Sequence, residues 1–376
     1  ILFTSGGTGI PKGVAYTQKI FASQVSMLRE MFALTPDEID LPGFPLFSLL
    51  TVAIGMTSCI PDMNPSKPAK ANPKKLIQNI KDQNVTFAAG SPAIWERVAD
   101  YCLKNNILLP SIKYLVMFGA PVSNQIHEKF KKVLTNGTTY TPYGATESLP
   151  LCNFSGTEIL KSTAKQTDAG KGTCVGKPAP GISLKIIPIT DEVLPFYEDI
   201  NLLPSGQIGE IIVSGDVVTP EYYKMPQKTA EAKIIQKQGN LWHRMGDLGY
   251  LDEEGKLWFC GRKTHKVKTP QQDLYSIPCE AIFNAHPEVR RSALIQTRKN
   301  NRPTASIVIE REDQKILKGK KKILFEKELL ELAKKFDHTK SIKDIYYHKN
   351  FPVDVRHNIK IDRLKLREVA EKRTCL

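Results

Sequence analysis

The apolar positions of this chain change period several times, and the changes mark out its elements. Within residues 17–34, Ile20, Met27, Leu28, Met31 and Phe32 fall at helical spacing, which predicts an amphipathic helix with its methionines packed in the core. Residues 76–83 repeat the helical pattern, and Val85-Thr86-Phe87-Ala88-Ala89 is a short apolar strand. Ser91 stands where it can cap a helix over 92–104, and Tyr114-Leu115-Val116-Met117-Phe118 is a further strand. Helices alternating with apolar strands imply a parallel sheet covered on both faces. Such sheets bind ligands beyond their C-terminal strand ends, and Gly119-Ala120-Pro121 follows one such end. The stretch Leu41-Pro42-Gly43-Phe44-Pro45-Leu46-Phe47-Ser48 alternates proline with aromatic and aliphatic residues and is too broken for a helix.

From Gly176 the pattern turns to strands, at 183–187 and 206–213, punctuated by Gly and Pro. A small distorted β-barrel is expected there. Beyond Lys263 the pattern is mixed. It predicts a helix over 279–285, strands over 292–296 and 305–309, and an amphipathic helix over 325–336 with Phe325, Leu329, Leu332 and Ala333 on one face. The run Lys318-Gly319-Lys320-Lys321-Lys322 reads as an exposed loop. The division falls at Arg262: a large part over 1–261 and a small one over 262–376.

Composition narrows the classes. A chain of 376 residues with 41% hydrophobic and 24% charged positions can bury a large core and hold more than one domain. No apolar run is long enough to span a bilayer. The seven cysteines form no C-x-x-C pair, which argues against a zinc site or a disulfide framework and fits a reducing cytoplasm. Nearly all of the net charge of +14 falls after Cys260. That basic part carries neither a nucleic-acid-binding motif nor interleaved stacking aromatics, so no nucleic acid is expected as partner.

Four stretches carry candidate chemistry. The first is Phe3-Thr4-Ser5-Gly6-Gly7-Thr8-Gly9-Ile10-Pro11-Lys12-Gly13. Its glycines let the backbone approach a ligand, successive N–H groups suit phosphate oxygens, Thr4, Ser5 and Thr8 add hydroxyl donors, and Lys12 adds a positive charge. The spacing is not that of a Walker A loop. Only Ile1-Leu2-Phe3 precede it, so the natural protein is expected to extend upstream. The second stretch is Tyr140-Thr141-Pro142-Tyr143-Gly144-Ala145-Thr146-Glu147. Tyr143 offers a flat face to a purine, Gly144 permits close approach, Thr146 can donate to phosphate, and Glu147 is a hard oxygen ligand suited to Mg²⁺. The third is Trp242-His243-Arg244-Met245-Gly246-Asp247, followed by Cys260-Gly261-Arg262, and the fourth runs from Phe351 through His357 and Lys360 to Arg363.

In this order, the four stretches resemble the signatures of the adenylate-forming superfamily of acyl-CoA synthetases, luciferases and peptide-synthetase adenylation domains. The resemblance implies an α/β adenylating core followed by a small mobile α+β lid, with ATP and Mg²⁺ as cofactors and a small carboxylic acid as substrate. It implies that the loop from Thr4 to Lys12 holds the β- and γ-phosphates. Gly119, Ala120, Pro121, Tyr143 and Gly144 would meet adenine. Asp247 and Arg262 would meet the ribose, Glu147 would hold the metal, and Lys360 would complete the catalytic set with Thr146 and Glu147. Residues 41–48 would line the acyl pocket.

The hinge departs from the CoA ligases. Thr264 stands where an acidic residue is common, and the loop Lys266-Val267-Lys268-Thr269-Pro270-Gln271-Gln272-Asp273 lacks the usual glycine. A loop without Gly yields its backbone less readily to an incoming pantetheine. These features, with Ser276-Ile277-Pro278-Cys279-Glu280 and Val355-Arg356-His357-Asn358, most closely resemble the β-lactone synthetases of bacterial olefin biosynthesis. That resemblance implies adenylation of a long-chain 2-alkyl-3-hydroxy acid, ring closure by its own hydroxyl, and other enzymes of the same pathway as possible partners. His265 and His357 are candidates for taking the hydroxyl proton. An acyl-CoA ligase, with CoA as co-substrate, is the alternative reading. A catalytically incomplete fragment or basic binding module is the third.

Overall fold

The computed structural model describes residues 1–4, 10–299, 302–315, 317–353 and 361–374. Strands β1 (Leu2–Phe3) and β2 (Gly13–Val14) pair antiparallel on either side of the glycine-rich loop. Helix α1 (Gln18–Phe32) is capped by Thr17, whose side chain accepts from the Ile20 amide, and it stops at Ala33 in the left-handed region. A five-stranded parallel sheet follows. Its strands are β3 (Ile39–Pro42), β4 (Thr57–Ser58), β5 (Phe87–Gly90), β6 (Tyr114–Met117) and β7 (Thr138–Tyr140), in the order β4-β3-β5-β6-β7. Helices α2 (Ser48–Ile54), α3 (Pro73–Asp82), α4 (Pro92–Lys104) and α5 (Asn124–Lys131) connect them.

The two faces of this sheet bury different residues because side chains alternate along a strand. Ala88, Leu115 and Met117 join the core beneath α3, α4 and α5 with Leu76, Ile80, Trp95, Val98 and Phe130. Phe87, Ala89 and Val116 point the other way, to Phe32, Ile54 and Met56. A sheet covered on both faces needs such near-continuous apolar strands. Two local readings change. Residues 45–47 form a 3-10 turn that runs into α2, a helix closed by Gly55 at φ 100°. Ser91 occupies the cap position of α4, but its side chain makes no capping bond.

Strands β8 (Tyr143–Ala145) and β9 (Ser148–Cys152) form a tight hairpin whose turn is Thr146 and Glu147. Short helices α6 (Gly156–Glu158) and α7 (Ala164–Asp168) flank a π-helical turn. The strand-rich region is an antiparallel sheet of β10 (Thr173–Gly176), β11 (Ser183–Ile187), β12 (Gly209–Ser214), β14 (Leu241–Leu251) and β15 (Leu257–Arg262). Their order is β10-β15-β14-β12-β11, and β13 (Lys233–Ile235), which follows α8 (Pro226–Ala232), is added to β14.

Beyond a 3-10 turn at Lys263–His265, β16 (Val267–Lys268) and β17 (Asp273–Leu274) pair. Thr269 and Gln272 close the glycine-free loop between them by a backbone and a side-chain bond. Then come α9 (Ser276–Asn284), β18 (Val289–Lys299), β19 (Arg302–Arg311), α10 (Gly319–Lys334), β20 (Asp344–Tyr347) and α11 (Arg363–Thr374). The three strands form one sheet, antiparallel then parallel. Leu294, Ile307 and Ile309 pack with Phe283, Phe325 and Leu329 of α9 and α10. Ala293, Ile295 and Val308 pack with Leu366 and Ala370 of α11. Residues 319–322 of the lysine-rich run are the first turn of α10, not a loop; lysine is a good helix former and these side chains remain in water. Among the described residues no helix is long and apolar enough to cross a membrane.

Candidate active site

Two carboxylates, Asp247 and Glu147, organise the site. At one end Asp247 lies in β14, directly opposite Arg262 of β15 in the ladder. Its Oδ1 is 3.0 Å from Nη1 of Arg262, and its Oδ2 accepts from the Tyr143 hydroxyl at 2.7 Å. Burial, then the neighbouring Asp247 charge, push the Tyr143 phenol well above its usual range. The Asp247 carboxylate in turn raises the Arg262 pKa. Gly144 is required by the hairpin itself: a Cβ there would come within 2.8 Å of the Leu149 side chain and 2.9 Å of the Ser148 carbonyl. Gly119, Ala120 and Pro121 follow the C-terminal end of β6, and Gly119 turns the chain at φ 89°, a conformation that favours glycine.

At the other end stands Glu147. Tyr222 donates its hydroxyl hydrogen to Oε1 of Glu147 at 2.7 Å, and Lys12 donates to the same hydroxyl oxygen at 2.8 Å. Nζ of Lys12 is also 3.8 Å from the carboxylate and 4.0 Å above the Tyr222 ring. Burial lowers the Lys12 pKa, and Glu147 opposes that shift. The flanks of the loop are closed by Thr4 and Lys12: the Thr4 amide donates to the Lys12 carbonyl, and the Lys12 amide donates to Oγ1 of Thr4, each at 3.0 Å. The Thr4 hydroxyl is thus an acceptor within the hairpin and keeps its own hydrogen to donate. Ser5, Gly6, Gly7, Thr8 and Gly9 lie outside the described residues.

The turn that carries Thr146 and Glu147 is held by its carbonyls, since buried backbone oxygens need partners. Tyr16 donates to the Thr146 carbonyl at 2.8 Å. Thr219 donates to the Glu147 carbonyl twice, by its amide at 3.0 Å and its hydroxyl at 2.9 Å. Behind Thr219 sits Lys233, 6% exposed, its Nζ 3.5 Å from the hydroxyl. Burial pushes the Lys233 pKa down to about 7, against the pull of Glu147. Burial also holds His243, opposite Lys233 in the ladder, well below the ordinary histidine range. Sequence reasoning gave Tyr222, Thr219 and Lys233 no part. The one available signal was a lysine opening the apolar strand Lys233-Ile234-Ile235.

The donor set at Glu147 fits magnesium. Among the described residues no three His, Cys, Asp or Glu side chains cluster as a metal cage. A single carboxylate beside a phosphate-binding loop suits an ion that takes one or two carboxylates and completes its shell with phosphate and water.

The expected acyl side is aromatic. The Phe47 ring lies tilted against Phe118, centroids 4.5 Å apart, and against Phe44 at 5.7 Å, and Phe118 directly precedes the turn at Gly119. Gly43 lies against the neighbouring strand, its amide donating to the Ala89 carbonyl at 2.6 Å.

Of the candidate residues beyond Arg262, His357 and Lys360 lie outside the described residues. Arg363 grips both oxygens of Glu280 on α9 through Nη2 at 2.7 and 2.9 Å. Burial, then the Arg363 and Arg262 guanidinium groups, push His265 down to about 3. An imidazole so depressed is a weak base, which counts against His265 as the group that takes the hydroxyl proton. At the start of the hinge, Lys263 meets Glu210 at 3.4 Å and Asp191 at 2.9 Å and also bonds the Thr190 carbonyl.

Arg262 feels the charges of both Asp247 and Glu147, together with Tyr143 and Tyr222, so the two carboxylates lie in one neighbourhood. The donors and acceptors gathered here suit a ligand that is flat and hydroxylated at one end and polyanionic at the other, as a nucleotide is. The chain belongs to the AMP-binding enzyme family, whose model matches residues 1–223. It is 40% identical over 371 residues to the olefin beta-lactone synthetase of Xanthomonas campestris pv. campestris, covering 97% of this chain and 66% of that one. It is 38% identical over 372 residues to the olefin beta-lactone synthetase of Stenotrophomonas maltophilia, with the same coverage. The chain thus spans about two thirds of the length of these relatives. The crystal structure of ATP-bound MatB from Rhodopseudomonas palustris shares the fold, with a TM-score of 0.76 at 22% identity over 98% of this chain and 67% of that one.

Proposed function

We propose that this chain carries the ATP site and lid of an AMP-forming β-lactone synthetase. Residues 1–261 would act as the adenylating part and 262–376 as the lid. The observation that carries the reading is the 38–40% identity to two olefin beta-lactone synthetases along 97% of the chain, through the glycine-free hinge loop. The substrate is a long-chain 2-alkyl-3-hydroxy acid, and the reaction needs no CoA.

In the first step the substrate carboxylate attacks the α-phosphorus of ATP and pyrophosphate leaves. Like charges must be brought together, and placed cations and N–H donors lower that cost. Lys12 and the loop from Thr4 are assigned to the β- and γ-phosphates, and Asp247 with Arg262 to the ribose. Tyr143, Gly144 and the turn Gly119-Ala120-Pro121 are assigned to the adenine, with Thr146 beside the phosphate. Lys360 is assigned the position between the carboxylate and the α-phosphate. A magnesium ion held by Glu147 would spread the negative charge of the phosphates.

In the second step the 3-hydroxyl oxygen attacks its own acyl carbon. The bond to AMP breaks, the hydroxyl proton leaves, and a four-membered lactone closes. Holding hydroxyl and acyl carbon together supplies an effective concentration of up to about 10⁵–10⁸ M for well-oriented intramolecular reactions. A cytoplasmic location and contact with other enzymes acting on the same acyl chain accompany this reading.

The test is a product assay on the full-length protein with ATP, Mg²⁺ and a 2-alkyl-3-hydroxy acid, with and without CoA. Lactone and AMP formed without CoA are expected. A thioester formed only with CoA would overturn the reading in favour of an acyl-CoA ligase.

A further inference from the structure

The adenylation assigned above gives no role to Lys233, a buried basic residue. Lys233 opens β13 at the edge of the antiparallel sheet, paired in register with His243. It is 6% exposed, and among the described residues it makes no ion pair within contact distance. Its side chain reaches a single group, the hydroxyl of Thr219, at 3.5 Å. Carrying an ammonium charge there without a carboxylate in contact is unfavourable. His243, its cross-strand neighbour, is buried too and offers no negative charge. The nearest compensation is Glu147, which raises the Lys233 pKa, while Lys12 lowers it.

The donors and acceptors form a directed relay. Nζ of Lys233 donates to Oγ1 of Thr219, which spends its own hydrogen on the Glu147 carbonyl at 2.9 Å. Lys233 thus stands directly behind the hydroxyl that holds the backbone of the turn. That turn places the Glu147 side chain, with Tyr222 and Lys12 on its far side.

We propose that Lys233 is a positioning residue for the phosphate end of the site: through Thr219 it orients Glu147, and its buried charge is matched when a nucleotide triphosphate binds beside Lys12. The charge is a cost in the free protein and is offset in the liganded one, so its removal should weaken binding and should not lower the stability of the free protein.

The experiment uses the full-length protein and the variants Lys233→Met, Thr219→Val and their double. MgATP is titrated by calorimetry, and melting temperature is read with and without it, alongside ATP–pyrophosphate exchange. The free Lys233→Met protein should melt at or above the wild-type temperature, because an apolar side chain of similar length relieves the buried charge. Its Kd for MgATP should rise about 10–100-fold, the usual cost of losing a partner behind a metal ligand. The MgATP-induced rise in melting temperature should shrink with it. The double variant should bind no more weakly than the worse single one, since both break one relay.

A free protein that melts lower with unchanged MgATP affinity would show a structural lysine and overturn the inference. Additive losses in the double variant would overturn the relay. Wild-type protein that binds MgATP normally but exchanges no pyrophosphate with any 3-hydroxy acid would overturn the proposed function, while the binding comparison still decides the role of Lys233.

Discussion

The hydroxyl of Tyr222 stands 2.7 Å from Oε1 of Glu147, although 75 residues separate the two in the chain. It also accepts from Lys12, so one phenol joins the loop cation to the candidate metal ligand. Tyr222→Phe keeps the ring beneath Lys12 and removes only the hydroxyl. A hydrogen bond to a charged group contributes about 1.5–3 kcal/mol. The variant should fold, and its Kd for MgATP should rise roughly tenfold or more. Tyr222→Ala also removes the ring and leaves a cavity, so its melting temperature should fall as well. Calorimetry and thermal melts separate the two effects.

Asp247 is predicted to matter through its charge. Its oxygens meet Arg262 at 3.0 Å and Tyr143 at 2.7 Å. Asp247→Asn keeps the shape, halves the acceptor capacity and leaves Arg262 without its carboxylate. AMP should bind about 10–100-fold more weakly, matching the loss of one or two charge-assisted bonds. Inorganic pyrophosphate affinity should hardly change, because the proposed phosphate end lies at Lys12 and Glu147. Equal losses for both ligands would show that the aspartate supports the fold and not the ribose.

The same contrast shows what a sequence can disclose. Asp247 and Arg262 stood out because each closes a Gly-containing motif, and ladder pairing then brings them opposite each other. The parallel sheet and helices α1, α3 and α4 follow from local periodicity and capping positions. Tyr222, Thr219 and Lys233 carry no such mark. Their partners lie 14 to 210 residues away, and Tyr, Thr and Lys are common surface residues until a fold buries them. Helix α2 escaped notice because a proline-rich stretch precedes it. The lysine-rich start of α10 was masked by charge, which says nothing against helix in exposed positions. The terminal motif with Lys360 was legible only as a pattern.

Glu210 anchors the chain at the junction where the proposed lid begins. It is 2% exposed and accepts from Arg244 at 3.1 and 2.6 Å, with Lys263 at 3.4 Å. Arg244 also bonds the carbonyls of Thr190 and Glu192. Glu210→Gln leaves a buried guanidinium without its counter-charge, and breaking such a pair typically costs about 3–5 kcal/mol. A clear drop in melting temperature is expected. Lys263→Met removes a half-buried partner and should cost less stability. It frees the start of the proposed lid from residues 190–191, so proteolysis should cut there sooner while the large part stays folded.

His127 sets a pH limit on stability. It lies buried in α5 with Nδ1 2.7 Å from the Thr139 hydroxyl, and burial pushes its pKa from 6.5 down to about 4. In the unfolded chain the imidazole takes up its proton near pH 6.5, whereas in the folded chain it resists until about pH 4. Between these values the unfolded state binds more protons, so stability rises with pH and is lost as pH falls through that window. At pH 5 the deficit from this one residue is about 2 kcal/mol relative to neutral pH. His127→Gln, which does not titrate, should melt lower than wild type near pH 7.5 but lose less on going to about pH 5. His243 and His265, both depressed by burial, push in the same direction, so the variant should flatten the acid slope without abolishing it. Melting temperatures of both proteins over this range decide the matter: parallel slopes would mean that His127 is protonated in the folded chain.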